Sequence, residues 1–417
     1  MVSETTELIH HVLLLLVFIL VLGMISGKLA SLLRVPDVVL FIAAGILVGP
    51  GLNIVHESSN SFTNQFILML GSALILFDGG RNIRLLNLRK VWITISLLSV
   101  TGVFITVAVV GTAAHYLFGM EWLYALLLAS IICSTDPASI IPVFKQVRIR
   151  EKVRETVESE SAFNDATGSI FTFTILAIIL GGGGDFSWGA SVWNFVKTAV
   201  GGILVGCVIA YVIALLTAHT RLSWFRNYTT IAMLTVAIGA YILGDTFKVS
   251  GFMATFSAGL IWGNAHLFGL RMEEKQAEMG HFSENLTVIM RMLIFVLLGS
   301  QVNFDLIAKF LWPSLGVILV LMFIARPLTV YSSTLPDRIA KWTSQEMLFM
   351  VWVRETGVIP AALAGIVAGL GIKYADVIAS VTFMAILLTI LIQASTTAYV
   401  ARKLGLEVKS EKDTIGL

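Results

Sequence analysis

The sequence predicts an all-α polytopic membrane protein of about thirteen transmembrane helices, built as two inverted six-helix repeats in which helices 5 and 12 are discontinuous. Three observations predict it. The 417 residues are 57% hydrophobic and 13% charged, with a mean hydropathy of +0.89, where soluble domains carry about a quarter charged residues. Apolar runs long enough to cross a hydrocarbon core of roughly 20 residues recur along the whole chain and leave no length for a sizeable soluble domain. The runs are continuous and not alternating, which disfavours a β-barrel. The basic residues alternate from loop to loop. A net charge of +2 spread over short groups offers no nucleic-acid surface. Cys133 and Cys207 sit in separate apolar runs and read as packing residues, not as a disulfide or a metal site.

In order, the runs fall at 8–27, 37–53, 62–79, 91–118, 122–145, 156–181, 191–218, 228–245, 249–264, 284–302, 305–331, 345–370 and 375–400. Met1 to Glu7 carries no Lys or Arg and no small-residue cleavage site follows, so the first run is expected to be a retained span and not a signal peptide. The second and ninth runs are short and are expected to be tilted or partial. The fifth is interrupted at Asp136-Pro137 and the twelfth at Val353 to Pro360. With thirteen crossings, one set of loops and the C-terminal tail holds 21 of the 28 basic residues, among them Arg81, Arg84, Arg89, Lys90, the Lys145 to Arg154 group, Arg402 and Lys403. The other side has Lys197, Lys248, Lys309 and Lys373, while Arg291, Arg326 and Arg354 lie inside apolar segments. This predicts a multi-pass protein of the cell membrane with an outward N-terminus and a cytoplasmic C-terminus.

The Gly181 to Gly184 run before Asp185 falls near mid-chain, where a flexible connection between two halves is expected. It divides the chain into a first repeat over 1–181 (helices 1–6), a linker and helix 7 over 182–227, a second repeat over 228–403 (helices 8–13) and a short cytoplasmic tail over 404–417. Two such halves of opposite topology are the inverted repeat of many secondary transporters.

Ionisable residues inside a bilayer are functional candidates by default. Asp136 lies in Cys133-Ser134-Thr135-Asp136-Pro137-Ala138-Ser139, where proline removes a backbone donor and disfavours helical geometry at the residue before it. An unwound stretch lining a cavity is expected, because open backbone at membrane depth is tolerated only there. In the sixth span, Glu160 with Asn164 and Ser161 with Asp165 are i,i+4 pairs, so all four fall on one side of the helix. Their oxygens suit a small hard cation, sodium in the first place. Glu158 reads either as a helix-capping loop residue or as part of this face. Arg326, near the cytoplasmic end of the eleventh span, either snorkels to the interface or, the favoured expectation, pairs with Glu160, since each charge would otherwise be unmatched.

The polar interruption Val353-Arg354-Glu355-Thr356-Gly357-Val358-Ile359-Pro360 occupies the position in the second repeat that Asp136 occupies in the first. Paired discontinuous helices point to a transporter's binding site. Arg354 and Glu355 are possible gating residues: they either neutralise the facing half-helix ends or pair locally and stiffen the break. Asp78 in Leu76-Phe77-Asp78-Gly79-Gly80 either lines an access funnel or is a solvated helix-terminal carboxylate. A carboxylate pair at a helix crossing holds a cation or a proton but not both fully. If the site changes sides only when neutralised by one or the other, cation flux one way drives proton flux the other way. Such a chain is a carrier and not an enzyme, and it needs no cofactor beyond the transported cation and proton, with membrane lipid as its surroundings.

Thr135-Asp136-Pro137, the Glu160-Ser161-x-x-Asn164-Asp165 run and Ala325-Arg326-Pro327 resemble the signature of NhaP-type sodium/proton antiporters of the cation:proton antiporter-1 family, over nearly the whole chain. The resemblance implies that Asp165 exchanges ion for proton, that Asp136 and Ser161 contribute ligands, and that Thr135 offers its backbone carbonyl. It implies that Asn164 is the neutral partner associated with electroneutral exchange and that Glu160 and Arg326 form a structural ion pair. It also implies a homodimer with a moving six-helix core, acting in pH homeostasis. Two departures stand out: Thr356-Gly357 where many relatives have Arg-Gly, and Gly79 where some have an acidic residue. A potassium/proton antiporter of the same fold is the alternative, and a cation channel a more distant one, since no filter-like repeat or pore loop is visible. An intramembrane aspartyl protease is disfavoured because its Gly-x-Gly-Asp signature is absent around Asp136 and Asp165.

Overall fold

The computed structural model describes residues 2–33, 35–55, 57–136, 147, 149–181, 188–218, 224–270, 272 and 275–408. Pro137 with Ala138 and Ser139, most of the mid-chain glycine run with Asp185, the tail beyond residue 408, and Arg34, Lys145, Arg148, Arg221, Arg271, Lys409 and Lys412 lie outside the described residues. Among the described residues the structure is helical, and one isolated antiparallel bridge, Ile149 with Glu407, is its β-pairing.

Helices stand at each of the thirteen predicted segments. Among the described residues, nine are long and apolar enough to cross a membrane: α1 (Val2–Leu33), α3 (Phe62–Asn82), α4 (Trp92–Phe118), α6 (Glu151–Leu180), α7 (Trp188–Thr217), α8 (Thr229–Thr246), α10 (Gln276–Ser300), α11 (Leu311–Thr334) and α13 (Ala375–Lys403). The shorter apolar helices are α2 (Asp37–Gly51), α5 (Trp122–Ile132), α9 (Gly251–Gly263) and the second half of the twelfth span, α12b (Val358–Gly369), which follows α12a (Ser344–Trp352). Several boundaries differ from expectation, among them the start of α10 at Gln276 and not 284, and two bear on the site. Helix α5 stops at Ile132, well short of residue 145, because Cys133–Asp136 is not helical. Helix α6 begins at Glu151, five residues before the apolar run at 156, since the charged turn 151–155 continues the helix although it ends the hydropathy window.

The chain forms two compact units, each assembled from both halves of the sequence: Met1–Arg84, Ser169–Lys309 and Ala361–Phe383 in the first, and Leu85–Gly168, Phe310–Pro360 and Met384–Leu417 in the second. In the first unit α3 and α9 approach backbone to backbone. Gly259 and Gly263, one turn apart on α9, lie against the main chain of Phe77 and Arg81, so that a Cβ at either position would overlap it. Membrane helices, which gain no hydrophobic drive from lipid, associate through such small-residue contacts. The outer stripes of α1 (Leu13, Leu14, Val17) and α7 (Val200, Leu204, Val208) are exposed and apolar, as lipid-facing helices require.

In the second unit the core gathers Leu98, Val153, Val157, Val330, Phe349, Met350 and Val353. The start of α6 is tied to the start of α12a by Lys152 Nζ to Glu346 at 2.7 Å and Arg150 to Glu346 at 3.3 Å. Glu346 also closes a capping box with Thr343, so one side chain both caps α12a and fixes its distance from α6.

Candidate functional site

The second unit contains two breaks in helical structure, and they cross. Cys133–Asp136 follows α5, and Val353–Gly357 separates α12a from α12b. A broken helix leaves backbone groups without partners, and at membrane depth each must be satisfied within the protein. One pair satisfies itself across the crossing: the Asp136 N–H donates to the Glu355 carbonyl at 2.8 Å. Arg354 donates through Nη2 to the carbonyls of Ile132 (2.8 Å) and Cys133 (2.9 Å), and through Nη1 to Thr356 Oγ1 (3.3 Å). Its guanidinium thus holds the C-terminal, partially negative end of α5.

Arg326 does the same for α12a. Its Nε donates to the Met350 carbonyl at 2.9 Å and its Nη2 to the Val353 carbonyl at 3.1 Å, while Glu160 receives the guanidinium on both carboxylate oxygens, Oε2 at 3.0 Å and Oε1 in a shorter contact from Nη1. Both side chains are buried, at 3% and 2% exposure. Bidentate geometry and two further acceptors satisfy the donors of a guanidinium held away from water.

The sixth-span face meets the end of α5 through a closed set of hydrogen bonds. Asn164 accepts the Thr135 N–H on Oδ1 at 3.2 Å and donates from Nδ2 to Thr135 Oγ1 at 2.9 Å. Thr135 Oγ1 is also bonded to Ser161 Oγ at 2.7 Å, and Ser134 Oγ donates to the Asn164 carbonyl at 3.3 Å. A carboxylate at position 164 could not make the Nδ2 bond, so this geometry requires a neutral amide. Gly168, one turn on, keeps α6 close: a Cβ there would meet Ser134 Oγ at 2.5 Å and Cys133 Sγ at 3.1 Å.

Asp136 and Asp165 are both buried, at 3% and 7% exposure, and close enough to interact electrostatically. Gly357 seals the crossing on the Asp136 side, where any Cβ would overlap the Asp136 side chain. The set gathered here is of oxygens: two carboxylates and the Ser161, Thr135 and Ser134 hydroxyls. Oxygen donors favour hard cations, and two neighbouring carboxylates away from water call for a neutralising cation or proton.

Asp165, Asp136, Ser161, Thr135 and Asn164 thus come together, with Glu160 and Arg326 paired beside them and Arg354 and Glu355 at the crossing. Arg354 and Glu355 turn to different helices, Arg354 to α5 and Glu355 to α13, where Thr397 Oγ1 lies 3.5 Å from Oε1. Glu158 is inside α6, not in a loop, at 3.8 Å from Arg154. Asp78 belongs to the other unit and is not a solvated helix-terminal carboxylate. It is buried and accepts from Arg81 (Nη2, 2.8 Å), Ser283 (2.6 Å) and Asn82 (3.1 Å). That unit holds a further ion pair, buried Arg291 with partly exposed Asp37 at 2.9 Å. Sequence reasoning missed the polar face of α13, where Thr389, Gln393 and Thr397 meet the crossing. Their spacing of four in an apolar span is the signal that could have found them.

The transmembrane model of the sodium/hydrogen exchanger family matches residues 14–403. The Na(+)/H(+) antiporter 1 of Methanocaldococcus jannaschii is 30% identical over 416 residues, covering 94% of this chain and 95% of that protein. The K(+)/H(+) antiporter NhaP of Alkalimonas amylolytica is 28% identical, covering 97% of this chain and 69% of its own length. A solved structure of the sodium proton antiporter MjNhaP1 from Methanocaldococcus jannaschii matches with a TM-score of 0.81 at 28% identity, over 96% of this chain and 99% of that one. The family match runs from within α1 to the end of α13 and encloses both broken spans, so this chain belongs to the sodium/hydrogen exchanger family.

Proposed function

We propose that the protein is a secondary active antiporter that exchanges a monovalent cation, sodium or lithium, for a proton, one for one. The observation that carries this reading is the pair Asp136 and Asp165 buried together where two broken helices cross, with Asn164 holding the neighbouring backbone. In this reading Asp165 takes up either the cation or the proton. Asp136, Ser161 and the Thr135 carbonyl complete the cation's oxygen shell, and Asn164 adds no charge. The competing loads each neutralise the same carboxylate, so exchange is electroneutral. Two inverted repeats, 1–181 and 228–403, supply the alternating access. The protein works in the cell membrane as a homodimer, its N-terminus outside and its C-terminus in the cytoplasm.

Everted vesicles carrying the protein test the reading. Sodium or lithium added to vesicles with a pre-set pH gradient is expected to dissipate it, with no dependence on membrane potential. Potassium exchange is the second reading, favoured by the likeness to the Alkalimonas amylolytica protein; potassium dissipating the gradient where sodium does not would select it. Current without a counter-ion would instead make the protein a channel.

Gly357→Ala offers an independent check of the crossing. The added methyl has no room beside Asp136, and a displacement on the order of 1 Å at a reacting group costs about a hundredfold in rate. Exchange is expected to fall by that order, measured in the same vesicles at matched protein content. Exchange near the unaltered rate would mean that the crossing does not set the position of Asp136.

A further inference from the structure

The thirteenth span reads as plain apolar sequence, yet one of its faces supplies partners that the broken twelfth span lacks. Thr389 Oγ1 accepts the Thr356 N–H at 3.0 Å and directs its own proton to the Ala385 carbonyl at 2.7 Å. The hydroxyl therefore presents a lone pair, with fixed polarity, to the crossing. One turn on, Gln393 donates from Nε2 to the Trp352 carbonyl at 2.8 Å, at the end of α12a. Gln393 is 1% exposed, and its Oε1 has no hydrogen-bond partner among the described residues. Burying an amide oxygen unsatisfied is costly, so the single bond to Trp352 accounts for the amide's presence. Residues 390–394, which include Gln393, form a π-turn, a feature found mostly at functional positions in helices.

What these bonds hold is the wall around Asp136. Glu355 accepts the Asp136 N–H, and Gly357 abuts the Asp136 side chain with no room for a Cβ. Thr356 lies between them, and its N–H is the group that Thr389 holds. We infer that Thr389, seconded by Gln393, is a positioning residue for cation binding: it sets the register of the Glu355 to Gly357 segment against Asp136 without touching the ion. This rests on the exchange reading above and goes beyond it by assigning a role to α13. Outer partners of ligand residues act on affinity and selectivity in this way, with losses of about tenfold to a hundredfold when removed.

Thr389→Val keeps the shape and removes the acceptor. Its apparent KM for sodium is expected to rise by about tenfold to a hundredfold, with the maximal rate less affected and the ratio of sodium to lithium transport altered. Thr389→Ser is expected to restore both. Among the described residues Thr382, seven residues earlier, bonds only the Ile378 carbonyl of its own helix, and Thr382→Val serves as the control with unchanged affinity. If Thr389→Val yields no folded protein, Gln393→Met, which loses the bond to Trp352, is expected to raise KM in the same direction. Wild-type affinity and cation ratio in both variants, or an equal loss in Thr382→Val, would overturn the inference. A wild-type protein that moves no protons on cation addition would instead overturn the exchange reading.

Discussion

Asp165→Asn is expected to reduce cation-dependent proton movement to the level of empty vesicles while the protein remains folded. Asparagine has the volume of aspartate, so the fold loses little. What it cannot do is take up a proton or balance a cation, and both half-reactions of the exchange use that one carboxylate. Asp136, in electrostatic contact with Asp165, remains, and one carboxylate with hydroxyl and carbonyl oxygens still offers a weak site. The variant is therefore expected to keep some cation binding in calorimetry while coupling no protons to it. The unaltered protein carries a second signature: because cation and proton compete, its apparent KM for sodium is expected to rise as the pH is lowered. Vesicle fluorescence at several pH values, with the thermal melt of the purified variant as the folding control, checks both. Exchange at the unaltered rate in Asp165→Asn would move the site elsewhere.

The span pattern was legible because a membrane crossing is a property of composition over about 20 residues, and composition survives without tertiary information. The two breaks were legible for a related reason: a proline after Asp136 and a polar run at 353–357 interrupt runs that are otherwise uninterrupted. The pairing of Glu160 with Arg326 followed from charge balance at similar depth. Other features depend on which helix face meets which partner, and no local pattern carries that. Arg354 is followed in sequence by a carboxylate, yet it spends its guanidinium on carbonyls more than 220 residues earlier in the chain. Asp78 looks like a helix-end carboxylate until Ser283, 205 residues away, is placed beside it. Thr389 and Gln393 vanish into the hydropathy of α13 because two polar residues scarcely lower the average of a 29-residue helix. Their importance comes from the unsatisfied peptide groups of a different span.

Arg326→Met is expected to destabilise the protein by about 3–5 kcal/mol, the range seen when one member of a buried ion pair is removed. Three separate losses combine at this position. Glu160 is left as a buried carboxylate at 2% exposure, and the carbonyls of Met350 and Val353 lose the donors that end α12a. Glu160→Gln is milder in one respect, because Arg326 keeps both carbonyls, but it leaves a buried cation without its counter-charge. The double variant removes both charges and still leaves the two carbonyls unmatched. It is therefore expected to melt below the unaltered protein, yet to be more stable than the sum of the two single effects implies. A double-mutant cycle on melting in detergent measures that difference directly. Strict additivity would mean that the two charges are stabilised separately and that the pair is not an interacting unit. Full recovery in the double variant would mean that the carbonyls at the end of α12a need no guanidinium, which would remove the reason for an arginine, rather than a lysine, at position 326.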